Sequence, residues 1–458
     1  MADAEQPKTG FVNNGSLVQY GNKNISDQWD YITISKPEKA FRLIVDGEMP
    51  SETNNKPDIS VSFFEGSIPL FSAIGTWKYQ GQSSLASNKK NYSFKLKNPS
   101  TGNKLKVKIG EWPSMSSIVC KGYGTDRILI RDSMTTEIWR WIRKSNNGFI
   151  VSKNAYQYFD SKDFGVHTSA LFSTAGTPCE IWHNNDFLGL YVIRASNDPA
   201  CYLMDDDNQQ HIMIQPQHAK GLWRNPFNPV NWEFSSPSIK DYDTGQDISA
   251  SHPDINNSAA RVFNWMVDCV KNPGLFRKTY KEYINLESLL DFIIITELSL
   301  SFDSLDNNFM MGSWDATPTS GIWSFYPYDE DETFGISWFL DPPITADIGW
   351  VFDNNSFSDQ EPGIFKVCRE EMRPELRIRW KFLRDNNVLS ASRINKYIID
   401  YISMIEPEMM ENDIRLWSTT AGTGVTNGIN VRATSVSFLS DIAEQRIQWL
   451  DQQFKYYN

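Results

Sequence analysis

Two stretches of the chain combine residue types that could activate a hydroxyl group and hold a cation. Ser301-Phe302-Asp303-Ser304-Leu305-Asp306-Asn307-Asn308-Phe309 sets an aspartate and an asparagine five residues apart, and Trp323 to Gly335 carries Tyr328-Asp329-Glu330-Asp331-Glu332. Asp303 could accept the proton of an acceptor hydroxyl. The amide oxygen of Asn308 and the carboxylate of Asp329 are hard donors suited to Mg²⁺ bridging phosphates, and Asp331 could share the ion. On spacing alone a second reading stays open: the aspartate and asparagine cap a helix and turn the chain, and Asp329 to Asp331 form a solvated acidic loop.

Such groups need elements to carry them, and the pattern along the chain supplies two kinds. Residues 1–30 are polar and turn-rich and read as an arm. From Tyr31 short alternating runs follow one another: Tyr31–Ile34, Phe41–Val45, Ile59–Phe63 and Tyr92–Leu96, an antiparallel β lobe by their period of two. Asp126 could cap a helix in which Ile130, Met134, Ile138 and Trp141 recur at helical spacing, packed on that sheet. Glu180–Trp182 and Leu188–Ile193, separated by Asn184-Asn185-Asp186, predict a hairpin. Beyond Ser258 the period changes. Val262 to Met266, Leu286 to Ile294 behind Asn285, and Leu439 to Phe454 predict helices, with loops over 316–320, 341–363 and 418–430. The expected class is α+β, with a β-rich lobe over 31–255 and a mainly helical lobe over 256–458.

Composition narrows the chemistry. The 458 residues are 40% hydrophobic and 22% charged, which suits a globular chain with a large core. A net charge of −12 would repel a phosphate backbone, so no nucleic acid partner is expected. Five cysteines at wide spacing read as reduced, buried thiols, and five histidines form no zinc pattern. No apolar run reaches the roughly 20 residues of a membrane span, and the start lacks the features of a secretory signal. Synthesis in the cytoplasm is the expectation, with retention there or exit by another route, such as incorporation into a virion or tail-like particle.

The Asp303, Asn308 and Asp329 order is that of the catalytic and metal-binding residues of protein kinases. Tyr79-Gln80-Gly81-Gln82-Ser83-Ser84-Leu85, followed by Lys89-Lys90-Asn91-Tyr92-Ser93-Phe94-Lys95-Leu96, resembles the spore coat protein H (CotH) kinase family, whose signature is an R/Q-G-x-S-S turn, then K-K-x-Y and a strand. Cys120-Lys121-Gly122 through Asp126 to Arg131-Asp132, Gly189-Leu190-Tyr191, the Asp303 to Gly335 block and a terminal helix ending Trp449-Leu450-Asp451 follow in the family's order. The resemblance implies an atypical protein-kinase-like fold, ATP with Mg²⁺, and Ser/Thr phosphorylation of a protein substrate. Carried over residue by residue, it makes Asp303 the base and Asn308 and Asp329 the metal ligands, with Asp331 a further candidate. It brings Lys90, Lys95 or Lys121 to phosphate, and the Gly81 turn close to it; a solvated strand face is the alternative for each lysine.

The chain departs from the family where an acidic residue often follows G-x-Y, because Tyr191-Val192-Ile193-Arg194-Ala195 stands there. If that acid positions a phosphate-binding lysine, Asp198 or another carboxylate must replace it. The variant motifs look closest to CotH-like proteins encoded in bacteriophage tail or prophage regions, so the second function class is a virion or tail structural protein, docked on a neighbour in an assembly, with little or no kinase activity. The sixteen tryptophans also admit sugar stacking, though most sit in apolar runs that suit a core.

Overall fold

A computed structural model of the protein describes residues 19–20, 23–24, 30–81, 85, 87–145, 170–195, 198–217, 221–239, 248–337, 344–353, 361, 363–417 and 435–457. Most of the arm at 1–30, residues 82–84 of the turn motif, parts of the loop 341–363 and all of the loop 418–430 lie outside them. The chain divides into two compact units, the first made of Met1–Leu129, Ala175–Ser196 and Ile399–Gly428, the second of Ile130–Thr174, Asn197–Ile398 and Ile429–Asn458.

Along the chain, β1 (Gln19–Tyr20) and β2 (Lys23–Asn24) pair with each other. Then come β3 (Tyr31–Ile34), β4 (Phe41–Gly47), β5 (Asp58–Glu65), β6 (Ile68–Gln80), β7 (Asn91–Lys97), β8 (Lys106–Ile109) and β9 (Ser117–Lys121). α1 (Arg131–Lys144) separates these from β10 (Ala175–His183) and β11 (Asp186–Ala195). β12 (Ile212–Pro216), β13 (Trp232–Ser236), α2 (Pro253–Lys271), α3 (Gly274–Thr279) and α4 (Leu286–Ser299) follow, then β14 (Phe309–Ser313) and β15 (Ser324–Pro327). The remaining helices are α5 (Gly363–Glu371), α6 (Arg373–Asp385), α7 (Ala391–Ile402), α8 (Pro407–Leu416) and α9 (Val436–Gln453). Helices and strands are both present, as an α+β chain requires.

In the first unit, seven strands close a barrel in the order β10-β11-β9-β7-β6-β5-β4. Alternate residues fill it: Phe41, Leu43 and Val45 from β4, Trp77 from β6, Phe94 from β7 and Cys120 from β9 are all buried. The expected β10–β11 hairpin is present, and its turn takes Asn184 and Asn185 through positive φ (48° and 73°), the mirror-image turn that suits twisted strands. The purely antiparallel lobe is corrected. β4 and β10 run parallel, Phe41 opposite Cys179 and Val45 opposite His183, and β3 pairs in parallel with β8. Local alternation records which face a residue takes and carries no information about a partner strand far along the chain. α8 packs on β11 within this unit.

The second unit is mainly helical around a four-stranded antiparallel sheet, β13-β12-β14-β15. α4 is its spine: it is buried from Ser288 to Ser299 and packs on α1, α5, α6, α9 and β15. Asn285 caps α4 as expected, its side chain accepting from Ser288 N at 3.1 Å. Asp126 does not cap α1; the cap position is Ile130, which makes no side-chain cap bond, and the Asp126 carbonyl instead accepts from Leu129 N at 3.0 Å. α1 groups with the second unit, where Arg143 reaches Asp291 of α4 at 2.7 Å and Arg379 of α6 meets the same carboxylate at 2.7 Å. All five cysteines are buried free thiols. Among the described residues no helix is long and apolar enough to cross a membrane.

Candidate functional site

α4 ends where Leu300 takes a left-handed conformation (φ 58°), and a short 3-10 turn, Phe302–Leu305, presents Asp303. The Asp303 carbonyl accepts from both Asn307 N (3.2 Å) and Asn308 N (2.9 Å), which closes the loop and explains why five residues separate the two polar groups. β14 begins at the next residue. Because Phe309 pairs with Pro327, the β14–β15 hairpin brings Asn308 and Asp329 to the same end of the sheet. Asn308 Nδ2 donates to the Asp329 carbonyl at 2.8 Å, and Asp329 itself has positive φ (54°), a conformation that aspartate tolerates better than most residues.

The side chains converge on one amide. Asn307 Nδ2 donates to Asp303 Oδ2 at 3.2 Å and to Asn308 Oδ1 at 2.8 Å, so a carboxylate oxygen and an amide oxygen face a common donor. Among the described residues no three His, Cys, Asp or Glu side chains gather to hold a metal by themselves. Asp303 Oδ2 and Asn308 Oδ1 are hard oxygens of the kind that Mg²⁺ takes alongside phosphate and water, and Asp329 joins them through its carbonyl bond to Asn308. Asp331 is partly exposed two residues beyond Asp329.

Between those two aspartates the chain turns inward. Glu330 is buried, its Oε1 accepting from Ser304 Oγ at 3.1 Å, and Ser304 Oγ lies 2.8 Å from Ser301 Oγ. Burial pushes the Glu330 carboxyl up to about 8, against the Ser301 and Ser304 hydrogen bonds and with the Asp132 and Asp303 charges adding to the rise. The segment is pinned to the start of α1. Glu330 N donates to Asp132 Oδ1 at 2.9 Å, Arg131 Nε donates to the Thr333 carbonyl at 2.8 Å, and Thr135 Oγ1 lies 3.2 Å from Thr333 Oγ1. The Arg131-Asp132 motif thus holds the acidic loop in place. Sequence reasoning missed Glu330, whose type alone matched a solvated loop.

In the first unit the lysines separate. Gly81, just past β6, has φ 111° and so needs glycine's freedom. Lys90 Nζ donates to the Leu85 carbonyl and lies over the Tyr79 ring at 5.9 Å. Lys95 is exposed on β7, and Lys121 is buried at the end of β9. The lysine with the most developed surroundings is Lys89, which the sequence reading did not select. Its Nζ lies 2.9 Å from both oxygens of Asp413 on α8 and 5.1 Å from the centre of the Tyr191 ring. Burial draws its pKa below the ordinary lysine value, with Asp413 opposing. Asp198, the suggested substitute carboxylate, instead caps the 3-10 turn Pro199–Tyr202. A repeated basic dipeptide was the only sequence signal for Lys89, and Asp413 lies 324 residues away.

A profile of the CotH kinase protein family matches residues 77–450, which takes in every element from β7 to α8 and most of α9. The chain belongs to the CotH kinase protein family. No curated protein matches the chain.

Proposed function

We propose that the protein transfers the γ-phosphate of ATP to a serine or threonine of a protein partner, with Asp303 as general base and Asn308 and Asp329 as Mg²⁺ ligands. The observation that carries this reading is the convergence of Asp303 Oδ2 and Asn308 Oδ1 on one donor, with Asn308 tied to Asp329. A family of kinases supports it, and the kinase-like reading of a β-rich and a mainly helical unit is part of the same proposal. Bound there, Mg²⁺ would neutralise the phosphate charge that such a transfer develops. Asp303 would orient the acceptor hydroxyl and take its proton, and Asn307 keeps Asp303 and Asn308 aligned. Asp331 is assigned as an accessory ligand, and Lys90, Lys95 and Lys121 as alternatives for contact with phosphate.

The test is incubation with γ-labelled ATP and Mg²⁺ in the presence of candidate protein partners. Label transfer that falls at least about a hundredfold in Asp303→Ala and Asp329→Ala, with folding intact, is the expected result. Transfer that persists in both variants sinks the assignment. A chain that neither transfers phosphate nor binds nucleotide would be a scaffold that keeps the family fold.

A further inference from the structure

The first unit carries its charge unevenly. Residues 66–125 hold nine lysines, no arginine and one acidic residue, Glu111, a net charge of +8 in a chain of net charge −12, so the other residues carry −20. The outer face of the barrel displays part of this excess. On β7, Lys95 and Lys97 are exposed where Phe94 and Leu96 are buried, and the register sets Lys95 opposite Thr76, with Lys78 two residues along the same face of β6. Burial draws Lys78 below the ordinary lysine value, and the Lys56 and Lys95 charges lower it further, as ammonium groups near one another do. Beyond β7 the chain turns back at once. Asn98 N donates to the Asn103 carbonyl and Leu105 N to the Leu96 carbonyl, both at 2.9 Å, which leaves Lys97 and Lys104 directly opposed with no hydrogen bond between them, the arrangement that brings side chains closest. Lys106 is exposed on the same face, since Leu105 and Val107 on either side of it are buried.

Like charges set directly across a strand pair repel, and no counter-charge relieves them. Among the described residues the lysine ion pairs of the first unit belong to Lys39 and Lys89, and none to Lys56, Lys78, Lys95, Lys97, Lys104 or Lys106. Lysine also guards open sheet edges, but β6 and β7 lie inside a closed barrel with strands on both sides. Two exposed apolar side chains stand among the cations: Ile74 of β6, 39% exposed, lies opposite Lys97, and Tyr31 of β3, 44% exposed, lies opposite Lys106.

We propose that this face, centred on Lys97 and Lys104, is a docking surface for an acidic segment of a protein partner, whose carboxylates pair with the lysines while its apolar side chains cover Ile74 and Tyr31. Carboxylates suit it better than a nucleic acid or an anionic membrane. Arginine forks, the groups that grip phosphate by two oxygens at once, are absent from residues 66–125. A duplex or a membrane also extends beyond the lysines and meets the acidic remainder, whereas at a screening length of about 8 Å a short segment meets the lysines alone. The surface does not depend on the phosphoryl-transfer reading.

Fluorescence anisotropy of a labelled oligoglutamate peptide with the full chain tests it. Binding should weaken at least about tenfold in Lys97→Glu combined with Lys106→Glu, and again as salt rises from about 0.05 M to about 0.3 M. Lys278→Glu combined with Lys281→Glu makes the same change of charge at exposed positions of the second unit and should leave affinity unaltered. Stability distinguishes docking from a merely solvated face. Lys97→Glu turns the repulsion from Lys104 into attraction and should raise the urea midpoint, and adding Lys104→Glu restores a like-charged pair and should bring the midpoint back, while affinity falls at each step. Wild-type affinity in the folded Lys97→Glu, Lys106→Glu variant overturns the proposal, as does an equal loss in the second-unit control or a wild-type chain that does not bind the peptide. Tighter Lys97-dependent binding of a DNA duplex or of phosphatidylserine vesicles overturns it in favour of a phosphate-bearing partner, and self-association that Lys97→Glu abolishes overturns it in favour of a second copy of the chain.

Discussion

Glu330 shows how much one side chain's surroundings decide. A carboxyl raised from 4.5 to about 8 in the fold binds more protons folded than unfolded between those values, so stability is greatest below the lower value and falls as pH rises through the upper one. Glu330→Gln keeps the shape and the Ser304 bond without the charge. Its stability in urea should match wild type near about pH 5 and exceed it by a few kcal/mol near about pH 9, and parallel curves would disprove the assignment. Residue types made Asp303, Asn308 and Asp329 visible as a set because their spacing is local and their chemistry distinctive. Glu330 was not visible, because the sequence Asp329-Glu330-Asp331 reads as three exposed acids, and only the Ser304 and Asp132 bonds show that the middle one points inward.

At the scale of elements, the alternation of β4, β5 and β7, the Asn184-Asn185 turn and the Asn285 cap could all be read from short windows. The closure of the barrel could not, since it depends on β4 lying parallel to β10. The same holds for α8. Its sequence says helix, while its seat on β11 and its ion pair with Lys89 appear only when Asp413 meets Leu190 N. Gly189→Ala tests that fit. It forces a Cβ against Asp413 and Trp417 in a left-handed backbone, and should cost ~3 kcal/mol in chemical denaturation. A neutral substitution would mean that α8 can shift away from β11 at no cost.

Across the molecule, each unit buries ion pairs that tie distant segments together. In the second, Glu297 of α4 meets Arg446 of α9 at 3.0 Å and also accepts from Val351 N at 2.8 Å, both side chains fully buried. Arg446→Met leaves that carboxylate buried without its main counter-charge and should cost about 3–5 kcal/mol, while adding Glu297→Gln should return part of the loss. Equal stabilities for the single and double variants would show that Arg369, 3.8 Å away, already neutralises Glu297. The pair in the first unit has a consequence in time. Lys89 and Asp413 are 324 residues apart, and at roughly 5–20 residues per second a ribosome needs roughly 15–65 s to travel between them. Throughout that interval the nascent barrel lacks the helix that neutralises the buried Lys89, so the first unit is completed only after α8 has been made, although its strands are made early. Protease resistance of β4 to β9 in stalled nascent chains should therefore appear only once α8 has cleared the exit tunnel, and earlier protection would show that the barrel closes over an uncompensated charge.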